Sequence, residues 1–311
     1  MEKIATREAY GNALAAIGME NEKVVVLDAD LSKSTKTSVF AKACPARFFD
    51  MGVAESNMAA TAAGFAIGGD TVFMSSFAIF AVGRCYEIIR NSICYPKLNV
   101  KIAATHAGIT VGEDGGSHQS IEDIALMRVL PNMQVFVPAD GVETAKMVAY
   151  MASHEGPMYL RLGRSGQPVL LDEGFDFKPG RFTIMKEGKD VVIFACGLMV
   201  SKALEAAEIL QKDGIDAAVV NASSLKPFDN ETAIAYAEKC GAVVTAEEHS
   251  VIGGLSSAVA ECLGMYRPSP MESVGVEDQF GQSGKPNELL EAYGLTAENI
   301  AVKAKAAIKR K

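Results

Sequence analysis

The segment Asn99–Pro131 reads NVKIAATHAGITVGEDGGSHQSIEDIALMRVLP. Its first part, NVKIAATHA, is a short apolar run of the kind that fills a buried parallel strand. Its last part, SIEDIALMRVLP, carries apolar residues at helical spacing and stops at a proline. Between them, His106 to Gln119 holds four glycines, two histidines and two acids. Strand, loop and helix in that order form one crossover of a parallel sheet, so this stretch sets the fold class.

In such sheets ligands bind beyond the carboxyl ends of the strands, which puts the His106–Gln119 loop at a functional edge. Glycines let backbone fold close to a ligand, and imidazoles titrate near neutral pH. A calcium loop is excluded because Glu113 and Asp114 are adjacent. His106 and His118 stand twelve residues apart with no third soft ligand nearby, which argues against a metal site. A solvated loop whose histidines cap neighbouring strands is the plain alternative, and it stays open at this point.

The alternation extends in both directions. Upstream, TREAYGNALAAIGME reads as a helix, KVVVLDAD as a strand and ESNMAATAAGFAIGG as an alanine-rich helix closed by glycine. TVFMSSF then reads as a strand and IFAVGRCYEIIRNSICYP as a helix stopped by proline. Downstream come a strand in MQVFVPAD and a helix in GVETAKMVAYMASH. Glycine and proline interrupt the pattern before DVVIFACG, MVSKALEAAEILQKDG, DAAVVNASSLKP, GAVVTAEEHS and PMESVGVED restart it. The expected fold is α/β with two doubly wound domains, 1–166 and a smaller 189–311, joined by a linker over 167–188.

Length agrees, since 311 residues exceed one typical core. A net charge of −8 argues against a general affinity for nucleic acid or anionic lipid, although clustered arginines can still hold small anions. The six cysteines lie in apolar runs without CxxC or zinc spacing, as reduced buried thiols do. No apolar stretch reaches the ~18 residues of a membrane span, and a cytoplasmic protein is expected. GxGxxG after the first strand, GxxxxGK[ST] and HExxH are all missing. A second candidate is DMGVAESNMAA, where Glu55 opens the alanine-rich helix. An acid there either complements the helix dipole or sits desolvated among small side chains with a raised pKa.

Taken together, GVAESNM, SSFAIFAVGRCYEIIRNSI and THAGITVGEDGGSHQSIEDIALMRVLPNMQVFVPAD resemble transketolase. RLGRSGQP and DQFGQSGKPNELLEAYGLT continue the likeness, which covers essentially the whole chain in order. It corresponds to the C-terminal part of a full-length transketolase, the pyrimidine-binding domain and the C-terminal domain. The glycine-aspartate-glycine signature that anchors magnesium and diphosphate in that family is missing here. The resemblance therefore implies one subunit of a split transketolase. Its thiamine diphosphate would be shared with an N-terminal partner subunit, in an assembly of two copies of each. Mg2+ or another divalent metal would be held mainly by the partner, with no metal ligand from this chain. The reaction implied is transfer of a two-carbon ketol unit from a ketose phosphate to an aldose phosphate.

The same resemblance assigns residues. Glu55 matches the glutamate that hydrogen-bonds the aminopyrimidine ring. Phe77 and Phe80 match aromatics packed on the pyrimidine, and Asp30 an acid near the thiazolium. His118 is placed beside the aminopyrimidine, while His106 and Asp114 line the sugar channel, with His106 turned toward a substrate phosphate. Glu55, His118 and His106 are the catalytic set. Arg7, Ser34 and Arg164 resemble a phosphate clamp, for which guanidinium forks are suited. Gly83 departs from the family, which often carries tyrosine there, and a more open pocket is one consequence. Competing readings are the β subunit of a 2-oxoacid dehydrogenase, a deoxyxylulose-phosphate synthase fragment, and a non-catalytic half that only binds a partner.

Overall fold

The computed structural model describes residues 3–311. After β1 (Lys3–Ala5), six strands run parallel in one sheet: β2 (Val24–Asp28), β3 (Phe48–Asp50), β4 (Thr71–Ser75), β5 (Val100–Ala104), β6 (Gln134–Phe136) and β7 (Met158–Arg161). Every residue of β2, β4, β5 and β7 is buried; this is why the first three read as apolar runs rather than alternating ones, whereas MYLR of β7 is not among the strands assigned from sequence. Helices cover both faces. In space the order is β6-β7-β5-β4-β2-β3. From β2 the chain goes to β3 on one side and then to β4 on the other, so the order reverses at β2. That reversal opens a crevice at the carboxyl ends, where α/β sheets take their ligands.

The ribbon of β1 with β8 (Gly166–Pro168) closes the first half. A second, five-stranded sheet follows, built from β9 (Thr183–Lys186), β10 (Val191–Ala195), β11 (Ala217–Asn221), β13 (Val243–Ser250) and β14 (Met271–Val276) in the order β14-β13-β10-β11-β9. It is parallel except for β9, which lies inside the 167–188 stretch read as linker and pairs antiparallel with β11.

Two segments assigned from sequence take a different form. DAAVVNASSLKP is not one strand: it breaks after Asn221, and β12 (Ser224–Lys226) crosses over to pair antiparallel with β6 of the first sheet. The break is held by polar contacts at Glu143, whose buried carboxylate accepts from Asn221 Nδ2 at 3.0 and 3.1 Å and from Ser223 Oγ at 2.6 Å. IFAVGRCYEIIRNSICYP is helical but not one α-helix. Ile79–Arg84 and Ile89–Cys94 form wide π-type turns around a short α-segment at Tyr86–Ile88. Such turns recur beside functional sites.

One apolar core joins the two sheets, running from Leu27, Met74, Ile102 and Val135 to Phe194, Val220 and Val243. A second core, on the other face of the second sheet, also takes in Ile109 and Ile121 from the first half. No helix among the described residues is long and apolar enough to cross a membrane.

Candidate active site

The residues singled out from sequence gather beyond the carboxyl ends of the first sheet. Phe77 follows β4 and His106 follows β5, and a parallel bridge between Phe77 and Thr105 carries the two strands side by side past their regular ends. Their rings stack, with centroids 3.8 Å apart and planes 22° from parallel. Phe80 lies 6.0 Å from Phe77 in a near-parallel stack. His118 meets both rings edge-on, at 5.3 Å from Phe80 and 6.3 Å from Phe77. The loop thus folds back so that its two histidines flank one pair of phenylalanines, an arrangement its spacing alone did not specify.

His106 is buried at 3% exposure and adopts a positive φ of 56°. Its Nδ1 shares a 2.8 Å hydrogen bond with Thr105 Oγ1. Burial pushes its pKa down to about 3, and the positive charges of Arg7 and Arg164 push in the same direction. The ring is therefore neutral at physiological pH, a hydrogen-bond partner rather than a stored proton. His118 is half-buried, with Nδ1 3.0 Å from Ser117 Oγ.

Glu55 is 5% exposed at the first turn of the helix Glu55–Ile67. Its surroundings are not the purely apolar ones expected from GVAESNM. Arg84 Nη1 donates to both carboxylate oxygens, at 2.8 and 3.0 Å, and the same guanidinium lies 4.6 Å over the Phe80 ring. Arg84 is the functional candidate that sequence reasoning missed. Its one signal was a lone cation in the apolar run IFAVGRCYEII, since the partner is 29 residues away. Beside it, Gly83 faces open space, with no atom within 4 Å of where a Cβ would sit.

The clamp residues converge in part. Arg7 Nη1 donates to the Ser34 carbonyl at 2.8 Å, so the contact uses backbone rather than the Ser34 hydroxyl. Burial and the nearby charge of Arg164 lower the Arg7 pKa. Arg164 is held by the Val111 carbonyl and lies 3.4 Å from Glu113. Asp30, at φ 62°, is exposed beyond β2, its amide donating to Asp50 Oδ1 at 3.0 Å. Asp114 is exposed at the loop tip. Among the described residues no group of three or more His, Cys, Asp or Glu side chains is arranged to hold a metal.

Comparison with known proteins agrees with this architecture. Residues 2–168 match the pyrimidine-binding domain of transketolase, and residues 180–300 match the transketolase C-terminal domain. Over 300 residues the chain is 49% identical to a putative transketolase C-terminal section from Methanocaldococcus jannaschii, covering 95% of this chain and 93% of that protein. It is 42% identical over 311 residues to a 6-deoxy-6-sulfo-D-fructose transketolase subunit from a Clostridium species, covering 100% and 97%. Among solved structures, a split gene transketolase in the form of an inactive beta4 tetramer superposes with a TM-score of 0.91 at 59% identity, covering 99% of each chain. The chain belongs to the transketolase family, whose members depend on thiamine diphosphate and a divalent metal, and corresponds to the C-terminal subunit of a split transketolase.

Proposed function

We propose that this chain carries the pyrimidine-binding half of a transketolase active site and moves two-carbon ketol units from a ketose phosphate to an aldose phosphate. It does so only when paired with an N-terminal subunit that holds the diphosphate and the metal. The observation that carries this reading is the convergence of Phe77, Phe80, His106 and His118 beyond the carboxyl ends of β4 and β5, with buried Glu55 joined to Phe80 through Arg84. A buried carboxylate beside stacked phenylalanines, with open space at Gly83, fits a flat nitrogen heterocycle. When bound, thiamine diphosphate supplies the nucleophilic carbon and the electron sink for breaking a bond next to a carbonyl.

The chain's own groups divide the remaining work. Phe77 and Phe80 offer a ring face, and the Glu55 carboxyl group offers a hydrogen bond to a ring nitrogen once Arg84 yields that position. His118 stands beside the heterocycle. His106, held neutral, orients a sugar oxygen through a hydrogen bond, and Asp114 reaches the same channel from the rim. Arg7 and Arg164 supply the local positive field for a substrate phosphate that the acidic protein otherwise lacks. Asp30 closes the thiazolium side. Relatives that act on different sugars share this scaffold, so the acceptor and donor identities rest on the channel's lining. A cytoplasmic setting fits phosphorylated sugar substrates.

The test is co-purification with an N-terminal transketolase subunit, followed by an assay with a ketose phosphate and an aldose phosphate. Two-carbon transfer by the pair is expected. No transfer, together with decarboxylation of a 2-oxoacid, overturns the proposal in favour of a dehydrogenase β subunit. Unchanged activity of Glu55→Ala in the pair favours a half that only binds its partner.

A further inference from the structure

The loop His106–Gln119 belongs to the first half by sequence, yet the second half holds it in place. Neighbouring side chains on β13 point to opposite sides, as in any strand. Glu247 turns into its own domain, where its oxygens accept from the amides of Leu255 and Ser256 at 2.7 Å each. Glu248 turns the other way, and its Oε1 accepts the amide of Thr110 inside the loop at 2.7 Å. Gly108, at φ 81°, lies so close that a Cβ added there would overlap the Glu248 carboxyl. Between these two contacts, Ile109 is fully buried in the core of the second sheet.

The other end of the loop is tied to the same strand. Arg161 Nη2 donates to the Glu248 carbonyl at 2.9 Å and to the Ser120 carbonyl at 3.3 Å, while pairing with buried Asp123. Gln119 Nε2 then braces the loop internally, reaching the carbonyls of Ile109 and Gly112 and, in the second half, Gln282. The base of the loop is also zipped across, the Gly108 amide donating to Ser120 O at 2.8 Å.

We propose that Glu248 is a positioning residue: its buried carboxylate fixes the Gly108–Thr110 turn and so sets the His106 ring against Phe77. Its catalytic consequence rests on the transketolase reading above; its structural consequence does not. Glu248 touches none of the reacting groups, and it acts through a loop whose position it determines from the other domain. Glutamine keeps an oxygen that can accept the Thr110 amide, whereas alanine leaves that amide buried and unpaired.

Two measurements on Glu248→Ala and Glu248→Gln decide the matter. The first is amide hydrogen exchange across the full chain. In the alanine variant, exchange over residues 107–112 is expected to rise by about tenfold or more, the cost of one unsatisfied buried donor, with β5 and β13 amides unchanged. The glutamine variant is expected to stay within about threefold of the parent, because it retains the acceptor. The second is steady-state kinetics of the pair with the N-terminal subunit, where alanine should raise KM for the sugar phosphate more than it lowers kcat, with rescue by glutamine. Unchanged loop exchange in the alanine variant overturns the proposal. So does exchange that rises equally in β13, which would make Glu248 a general fold element, or glutamine as damaging as alanine. If the parent pair transfers no ketol unit, the functional reading fails while the exchange arm still judges Glu248.

Discussion

The two walls of the candidate site are finished to different degrees. The wall made by His106–Gln119 is sealed: its backbone is tied to Glu248 and Arg161, Ile109 sits in the second core, and Gly116 packs on the Gly281 backbone. The wall made by Glu55, Gly83 and Arg84 is open. On the helix that Glu55 begins, Ser56, Asn57, Ala60 and Gly64 are exposed, and Arg84, the group on the buried carboxylate, is 54% exposed. The difference teaches where the chain is self-sufficient. It braces the His106–Gln119 wall with its own second half and leaves the Glu55 wall bare, as the proposed function expects of a surface completed by another subunit.

The comparison can be broken most severely at Glu55. In the assembled enzyme, Glu55→Ala is expected to cut turnover by about 10²–10⁴, the usual worth of a positioned proton-handling group, while the thermal unfolding of the isolated chain stays close to the parent's. Gly108→Ala probes the sealed wall instead. A positive φ and overlap with Glu248 should cost about 1–3 kcal/mol, read by chemical denaturation, whereas alanine at Gly83 on the open wall should cost less than about 0.5 kcal/mol.

Protonation separates the walls further. His106 has a folded pKa near 3, depressed by burial and by neighbouring cations from an ordinary value near 6.5. A depressed pKa contributes stability that is fully present above pH 6.5 and is lost as pH falls toward the folded value. Relative to His106→Asn, the parent should therefore lose stability below pH 6.5, by at most about 1.4 kcal/mol per pH unit. Denaturation midpoints of both proteins at pH 7.5 and pH 5 measure this; parallel behaviour would mean that the ring is not sealed in. A small effect is also expected at Arg84→Ala. Its half-exposed ion pair should contribute no more than about 1 kcal/mol to the isolated chain.

Much of this was legible in the sequence, for identifiable reasons. Parallel strands buried on both faces leave apolar runs, and β2, β4, β5 and β10 do so. The glycines of the loop announced unusual backbone, and Gly108, Gly112 and Gly115 all have positive φ. What escaped was long-range. The crossing of β12 into the first sheet depends on pairing with β6, and no local pattern in ASSLKP records it. Arg84 on Glu55 and Glu248 on Thr110 are likewise contacts between residues 29 and 138 positions apart. The GVAES motif pointed to an acid of interest but not to its cation, and EEH in GAVVTAEEHS looked like a strand end rather than a brace for another domain's loop.

The central claim is that the chain holds one half of a cofactor site, and calorimetry with thiamine diphosphate and Mg2+ tests it most directly. Titrated into the isolated chain, the cofactor should give no tight binding; titrated into the pair with an N-terminal subunit, it should bind tightly and enable two-carbon transfer. Tight, magnesium-dependent binding by the isolated chain would contradict the account.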